Sequence, residues 1–259
     1  MTISQDQIDY AKKHFQCDQV NIMLMDYRDL IRKRKMDKRG PNEPETYVGY
    51  FDRVVSVGMF EHVGHKNYRE FFQVVNKVMK DDTSIFLLHT IGLNHLFLPP
   101  VDPWANTYIF RNGMLPYYTQ IIDNTKNLFF LEDWHNFGQD YAPTLMAWWD
   151  NFERNWPKIR SLLFEKEHLR LKDKQLKLRR TIAKNLIKKR GRQTIEGEPE
   201  MSIEEQNEKQ IDEEIAHVFY RMWKFYLCFS SGVFRARRFN VWQVVFTKKG
   251  MLGGYLSER

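Results

Sequence analysis

FDRVVSVGMFEHVGHKNYREFFQVVNKVMK, residues 51–80, decides the class of fold. It opens as a Val-rich β-run and breaks at Gly58. Past Gly64 it resumes with Phe71, Val74, Val75 and Val78 at helical spacing. SIFLLHTIG, residues 84–92, is a further β-run. It is too continuously apolar for an exposed edge, so burial on both faces is expected. NLFFLEDWHNFG (127–138) and NVWQVVFTKKG (240–250) read as two more strands. Strands alternating with helical stretches predict an α/β fold with a largely parallel sheet.

Upstream, Ser4 and Gln7 form an S-x-x-Q capping box at a helix start, with Ile3 and Ile8 at the two staple positions. VNIMLMDY (20–27) reads as a short strand. IRKRKMDKRGPNEPETY (31–47) reads as a surface excursion, because charges, Gly40, Pro41 and Pro44 crowd it. From Glu165 to Ala216 a dense basic run is followed by an acidic one, with charges on every helical face. This predicts a solvated, charged helical insertion. A membrane-surface role for its basic half is the sharper alternative.

The net charge of +7 invites an anionic partner without choosing one. No base-stacking motif accompanies the basic residues, so nucleic acid is not expected. Cys17 and Cys228 make no disulfide framework and suit a reducing compartment. No apolar run approaches the roughly 20 residues that span a bilayer, and the first residues lack the apolar core of a secretory signal. A cytoplasmic chain is expected.

Glu61, His62 and His65 lie where the first β-run turns. Their order, E-H-x-x-H, is not the H-E-x-x-H that sets two imidazoles on one helix face, and Gly64 interrupts a helix there. No metal site is expected. Two readings stay open: a crowded turn whose polar groups satisfy backbone donors, or the rim of a site. In open α/β sheets ligands bind beyond the carboxyl ends of strands. Glu61 follows one strand and His89 closes the next, so a carboxylate and an imidazole are expected at one rim, as an acid/base pair or a clamp for a small anion.

FDRVVSVGMFEHVGHKNYREFFQVV, IFLLHTIG, VDPWANTYIFRNGMLP, EDWHNFGQDYAPTLMAWW and FRARRFNVWQVVF together resemble, in order, the cyclopropane-fatty-acyl-phospholipid synthases and their mycolic acid cyclopropane synthase relatives. The resemblance covers most of the chain outside 31–48 and 165–216. It implies a Rossmann-like fold and S-adenosylmethionine (SAM)-dependent methyl transfer to the cis double bond of a phospholipid acyl chain. Bicarbonate is then the base that removes the proton before ring closure. The matching catalytic positions are Glu61, His89, the backbone at Ile91, and Tyr141 of GQDY. Ser230 stands where the family commonly has a cysteine. Gly58 and Gly64 would let backbone approach closely. The aromatics of EDWHNF and AWWDNF could steady a carbocation, although core packing explains any one of them.

The cofactor positions implied are Thr2, Ile3, Ser4, Gln5, Asp6 and Gln7, with Gln7 at the ribose, and Asp26, Tyr27 and Arg28 at the adenine edge. The family's D-x-G-C-G-x-G-G loop and its anion-holding cysteine have no counterpart in the sequence. A methyltransferase fold lacking its first strand and Gly-rich loop is therefore expected. A late start, one piece of a split enzyme, and a degenerate remnant are the competing explanations. Residues 1–164 and 217–259 would form part of the catalytic domain, with 165–216 inserted. The expected partners are phospholipid acyl chains, reached from a site peripheral to the membrane, and a homo-oligomer is left open. The alternative function is a non-catalytic relative that docks on anionic membranes.

Overall fold

The computed structural model describes the chain except residues 16, 18, 34–42, 95–102, 111–112, 164–202 and 258–259. Two compact units emerge: Met1–Gly138 with Arg237–Arg259, and Gln139–Ala236.

The first unit is α/β, built on a four-stranded sheet of order β1-β2-β4-β3. The strands are β1 (Arg53–Val57), β2 (Ile85–Leu93), β3 (Phe130–Asn136) and β4 (Phe239–Thr247). β1 and β2 are parallel, while β4 runs antiparallel to both β2 and β3. Three strands thus share one direction and the last opposes them. Helices α1 (Gln5–His14), α2 (Tyr68–Val78), α3 (Pro103–Tyr108) and α4 (Tyr118–Thr125) complete this unit.

α2 forms because its apolar residues recur on one stripe. Phe71, Phe72 and Val75 are buried against Phe86 and Leu88 of β2 and Val244 and Phe246 of β4. Val74 and Val78 turn to a second cluster with Leu30 and Tyr47. Each such side chain contributes about 1.5–3 kcal/mol by leaving water. Arg69 ties α2 to the end of α4 by donating to the carbonyls of Asn124 (2.8 Å) and Lys126 (2.7 Å). Burial along β2 alternates between complete and partial rather than covering both faces equally.

Two local expectations fail. VNIMLMDY forms no strand: it makes one isolated parallel bridge, Thr2 to Leu24, and Leu24 is exposed. A β-run needs a ladder on which to pair, and the described residues offer it one rung. The capping box is half made. Ser4 caps α1 by accepting from the Gln7 N–H at 3.4 Å, but the Gln7 side chain turns to the Thr2 hydroxyl. Ile3 is 80% exposed while Ile8 is buried, so the staple does not close.

The second unit is helical: α5 (Gly138–Arg154), which starts at the boundary, α6 (Trp156–Leu162) and α7 (Ile203–Arg235). Aromatic rings hold it together. Tyr220 meets Trp156 at 5.0 Å and Trp149 at 5.6 Å, and its hydroxyl donates to Glu153 at 3.2 Å. Most of the charged 165–216 stretch lies outside the described residues; its end, from Ile203, belongs to α7.

Candidate active site

β1 ends at Val57, opposite His89. The chain then turns through Gly58 at φ 60° and Gly64 at φ 78°, a left-handed backbone that favours glycine. A Cβ on Gly58 would meet nothing within 4 Å. The glycine is there for its dihedral, not for a close approach.

β2 continues four residues past His89, so the imidazole lies inside the strand rather than at its end. Beyond β1, the edge of β2 needs other partners. Gly58 donates to the His89 carbonyl at 3.1 Å, and the Leu93 N–H donates to the Pro116 carbonyl at 2.9 Å. Between them the Ile91 N–H donates to Oε1 of Glu61 at 2.7 Å. Backbone groups two residues apart face the same edge, so the Glu61 side chain takes the place of a strand. Ile91 therefore contributes through its N–H to Glu61.

That half of the geometry is structural. Glu61 is 8% exposed, and its Oε2 is buried with no hydrogen-bond partner among the described residues. Leaving such an oxygen unpaired costs about 1–3 kcal/mol or more, which marks a position suited to a donor ligand. The Tyr68 hydroxyl is also buried and has no hydrogen-bond partner among the described residues. Burial, then the charge of Glu61, raises its pKa well above the ordinary phenol value. His89 is pulled below the ordinary imidazole value by burial, while Glu61 pulls the other way. His62 and His65 are exposed, and His65 Nδ1 meets the Met114 sulfur at 3.3 Å. No group of metal-ligating side chains occurs among the described residues.

The expected cofactor residues come together in two adjacent pieces. Thr2 exchanges backbone bonds with Met23 (3.0 Å) and Met25 (2.9 Å), which sets the start of the chain beside Asp26. Asp26 accepts from the Arg28 backbone (2.9 Å), Nε (2.9 Å) and a terminal nitrogen (2.6 Å). The guanidinium holds its carboxyl below the usual carboxylate range. Arg28 lies 5.7 Å over the Tyr27 ring, and Tyr27 packs edge-on against Phe71. Phe71 in turn packs on Phe60, beside Glu61. Gln5 bonds Asp9, Asp6 lies in the first turn of α1, and Ile3 is exposed.

Tyr141 and Ser230 belong to the second unit. The Tyr141 ring packs on Phe234 at 4.8 Å and Trp148 at 6.0 Å. Ser230 is half-buried; its neighbour Ser231 is buried and donates to the Ala142 carbonyl at 3.1 Å. At the carboxyl ends of β2 and β3, Asn94, Tyr118, Ile122, Trp134, Asn136 and Trp242 line a pocket of about 560 Å³.

Two residues escaped the sequence reading. Tyr68 sits in a helical pattern that explains it as core. Gln243 sits on β4 with Nε2 3.5 Å from His89 Nδ1. Its signal was present: it is the one polar residue between Asn240 and Thr247 in a run of apolar ones.

A family model described as mycolic acid cyclopropane synthetase matches residues 1–182. A cyclopropane-fatty-acyl-phospholipid synthase of Escherichia coli (strain K12) is 37% identical over 248 residues, which cover 96% of this chain and 46% of that protein. A probable fatty acid methyltransferase of Pseudomonas putida is 30% identical over 175 residues, 64% of this chain and 40% of that one. The chain spans about half the length of the curated relatives it matches. Among solved structures, cyclopropane synthase MmaA2 from Mycobacterium tuberculosis superposes with TM-score 0.57 over 95% of this chain and 68% of its own, at 19% identity. Mycolic acid cyclopropane synthase CmaA1 complexed with SAH and CTAB gives 0.55 over the same shares, at 18% identity.

Proposed function

Because the chain belongs to the mycolic acid cyclopropane synthetase family, we propose that it serves SAM-dependent methylation of a cis double bond in a phospholipid acyl chain, the added carbon closing into a cyclopropane. One observation carries this reading: the buried Glu61 carboxylate, one oxygen tied to Ile91 and the other unpartnered, beside His89.

Bound SAM supplies an electrophilic methyl on a sulfonium. Gln7 and the Asp26–Arg28 turn are the residues that would hold its ribose and adenine. Methyl addition to an alkene leaves a carbocation, and ring closure needs a proton removed from the new methyl. Bicarbonate fits the Glu61–His89 pair, since the unpartnered Oε2 would accept its O–H, and bound there it supplies the base. The carboxylate and imidazole orient that anion, and their burial keeps water from the cation. Tyr141 and Ser230 are proposed as further catalytic residues on the strength of the family resemblance alone. The aromatic pocket beside Trp134 and Trp242 supports an apolar substrate.

We further propose that residues 165–216 form a charged insertion between the two parts of the catalytic domain, and that its basic half meets the anionic membrane surface. No helix among the described residues is long and apolar enough to cross a membrane.

The test uses purified chain, vesicles of cis-unsaturated phospholipid, bicarbonate and SAM labelled in its methyl group. The sequence has no D-x-G-C-G-x-G-G loop to receive the methionine end, so weak SAM affinity and slow turnover are expected, and saturating cofactor and long incubation are needed. Mass spectrometry of the released fatty acids should show a labelled gain of one CH2. Sub-micromolar SAM binding by calorimetry would contradict the expected weak site. Cofactor binding without label on the lipid would replace the enzyme reading with that of a non-catalytic relative.

A further inference from the structure

β4 lies between β2 and β3, and one row of residues crosses all three strands. Gln243 is in register with His89 on one side and His135 on the other. Residues opposite each other on neighbouring strands present side chains to the same face. That face is the one turned away from the core residues Trp242, Val244 and Phe246. The Phe137 ring packs against both imidazoles, 5.5 Å from His89 and 5.3 Å from His135. The amide of Gln243 is therefore framed by two rings and held by a strand on each side.

Its Nε2 lies 3.5 Å from Nδ1 of His89. With its NH2 end toward the ring, the Gln243 amide donates and Nδ1 accepts. A neutral imidazole carries one donor and one acceptor, which leaves the ring proton on Nε2. We infer that Gln243 is a positioning residue that fixes His89 as its Nε2–H tautomer, so that the ring offers an N–H, rather than a lone pair, to an anion beside Glu61. The lone pair of the other tautomer would repel the same anion. The depressed basicity of His89 fits this role, because a neutral ring is the form in which a tautomer matters.

The use of that N–H rests on the anion-site reading above, but the tautomer does not. It can be read directly. Long-range proton–nitrogen correlation spectra of the 15N-labelled full chain at about pH 8, well above the usual imidazole pKa of about 6.5, distinguish the two forms. The His89 signals are identified by their loss in His89→Gln. The expected result is the Nε2–H pattern in the native chain. Gln243→Glu puts an acceptor opposite Nδ1 and should switch His89 to the Nδ1–H form and raise its pKa. Gln243→Leu should give a mixture. A native chain in the Nδ1–H form, or no change in Gln243→Glu, overturns the inference, and the native spectrum decides even where a variant does not fold. A chain with the Nε2–H form that never methylates lipid keeps this inference and sinks the proposed reaction. The reverse outcome keeps the reaction and sinks this inference.

Discussion

A Cβ placed on Gly92 would lie 2.0 Å from Cζ3 of Trp242, well inside van der Waals contact with the indole. Gly92 opposes Asn240 across the β2–β4 ladder, one rung beyond Ile91 and Val241. The buried Trp242 ring lies over the backbone where a side chain would otherwise stand. Gly92→Ala should therefore destabilise the sheet by at least the ~1–3 kcal/mol usual for overpacking. The double variant with Trp242→Leu should recover part of the loss. Urea unfolding of the three variants checks this; a Gly92→Ala chain as stable as the native one would mean that the indole moves freely.

Glu61→Gln keeps an oxygen able to accept from Ile91, removes the charge and puts a donating NH2 where the accepting Oε2 stands. Folding should survive, while methyl transfer falls about 100-fold or more, the scale on which positioned acid–base groups act. SAM affinity should change little, because the carboxylate orients the anion rather than the cofactor. Steady-state kinetics beside calorimetry separates the two. An equal loss of SAM affinity would place Glu61 at the cofactor.

His89 binds its proton less readily in the folded chain than in the unfolded one, chiefly because it is buried. Between its lowered pKa and about 6.5, the unfolded chain then carries more protons, so stability rises with pH across that window. Stability should accordingly fall as pH drops from about 7 through the folded pKa, and His89→Gln should flatten that slope. Denaturation midpoints of both chains at about pH 5, 6 and 7.5 test the sign. A native chain that gains stability relative to His89→Gln on acidification would reverse it.

The basic stretch Arg170–Arg192 contains one acidic residue, Asp173. Each Lys or Arg near an anionic bilayer contributes on the order of 1 kcal/mol, screened beyond a Debye length of about 10 Å at 0.1 M salt. Deleting residues 166–214 should weaken co-sedimentation with anionic vesicles at low salt and leave little difference at high salt. Equal binding by the deleted chain would reduce the stretch to surface decoration.

Where local pattern suffices, the sequence was readable. β1, β2, β3 and β4 and the buried stripe of α2 follow from runs and spacings that any neighbour would reward. A rule about strand ends put Glu61 near His89, and their charges do influence one another, although His89 lies inside β2 rather than at its end. What it missed depends on register. VNIMLMDY has strand composition but only a single rung to pair with. Gln243 meets His89 only because β4 inserts antiparallel beside β2, and no local window reveals which residues such a strand will face. The duty of Glu61 toward Ile91 was invisible for the same reason, since it arises where β1 stops and β2 does not.

The placement of β4 also governs when the chain can fold. Gln243 and His89 are 154 residues apart in sequence, yet they share a rung in the middle of the sheet. β2 and β3 touch only through β4. During synthesis the sheet must wait until β4 has left the ribosome, with the apolar faces of β2 and α2 uncovered meanwhile. Long-range pairing of this kind is slow and exposes aggregation-prone surface. Loss of β4 would remove the strand that joins two halves of the sheet.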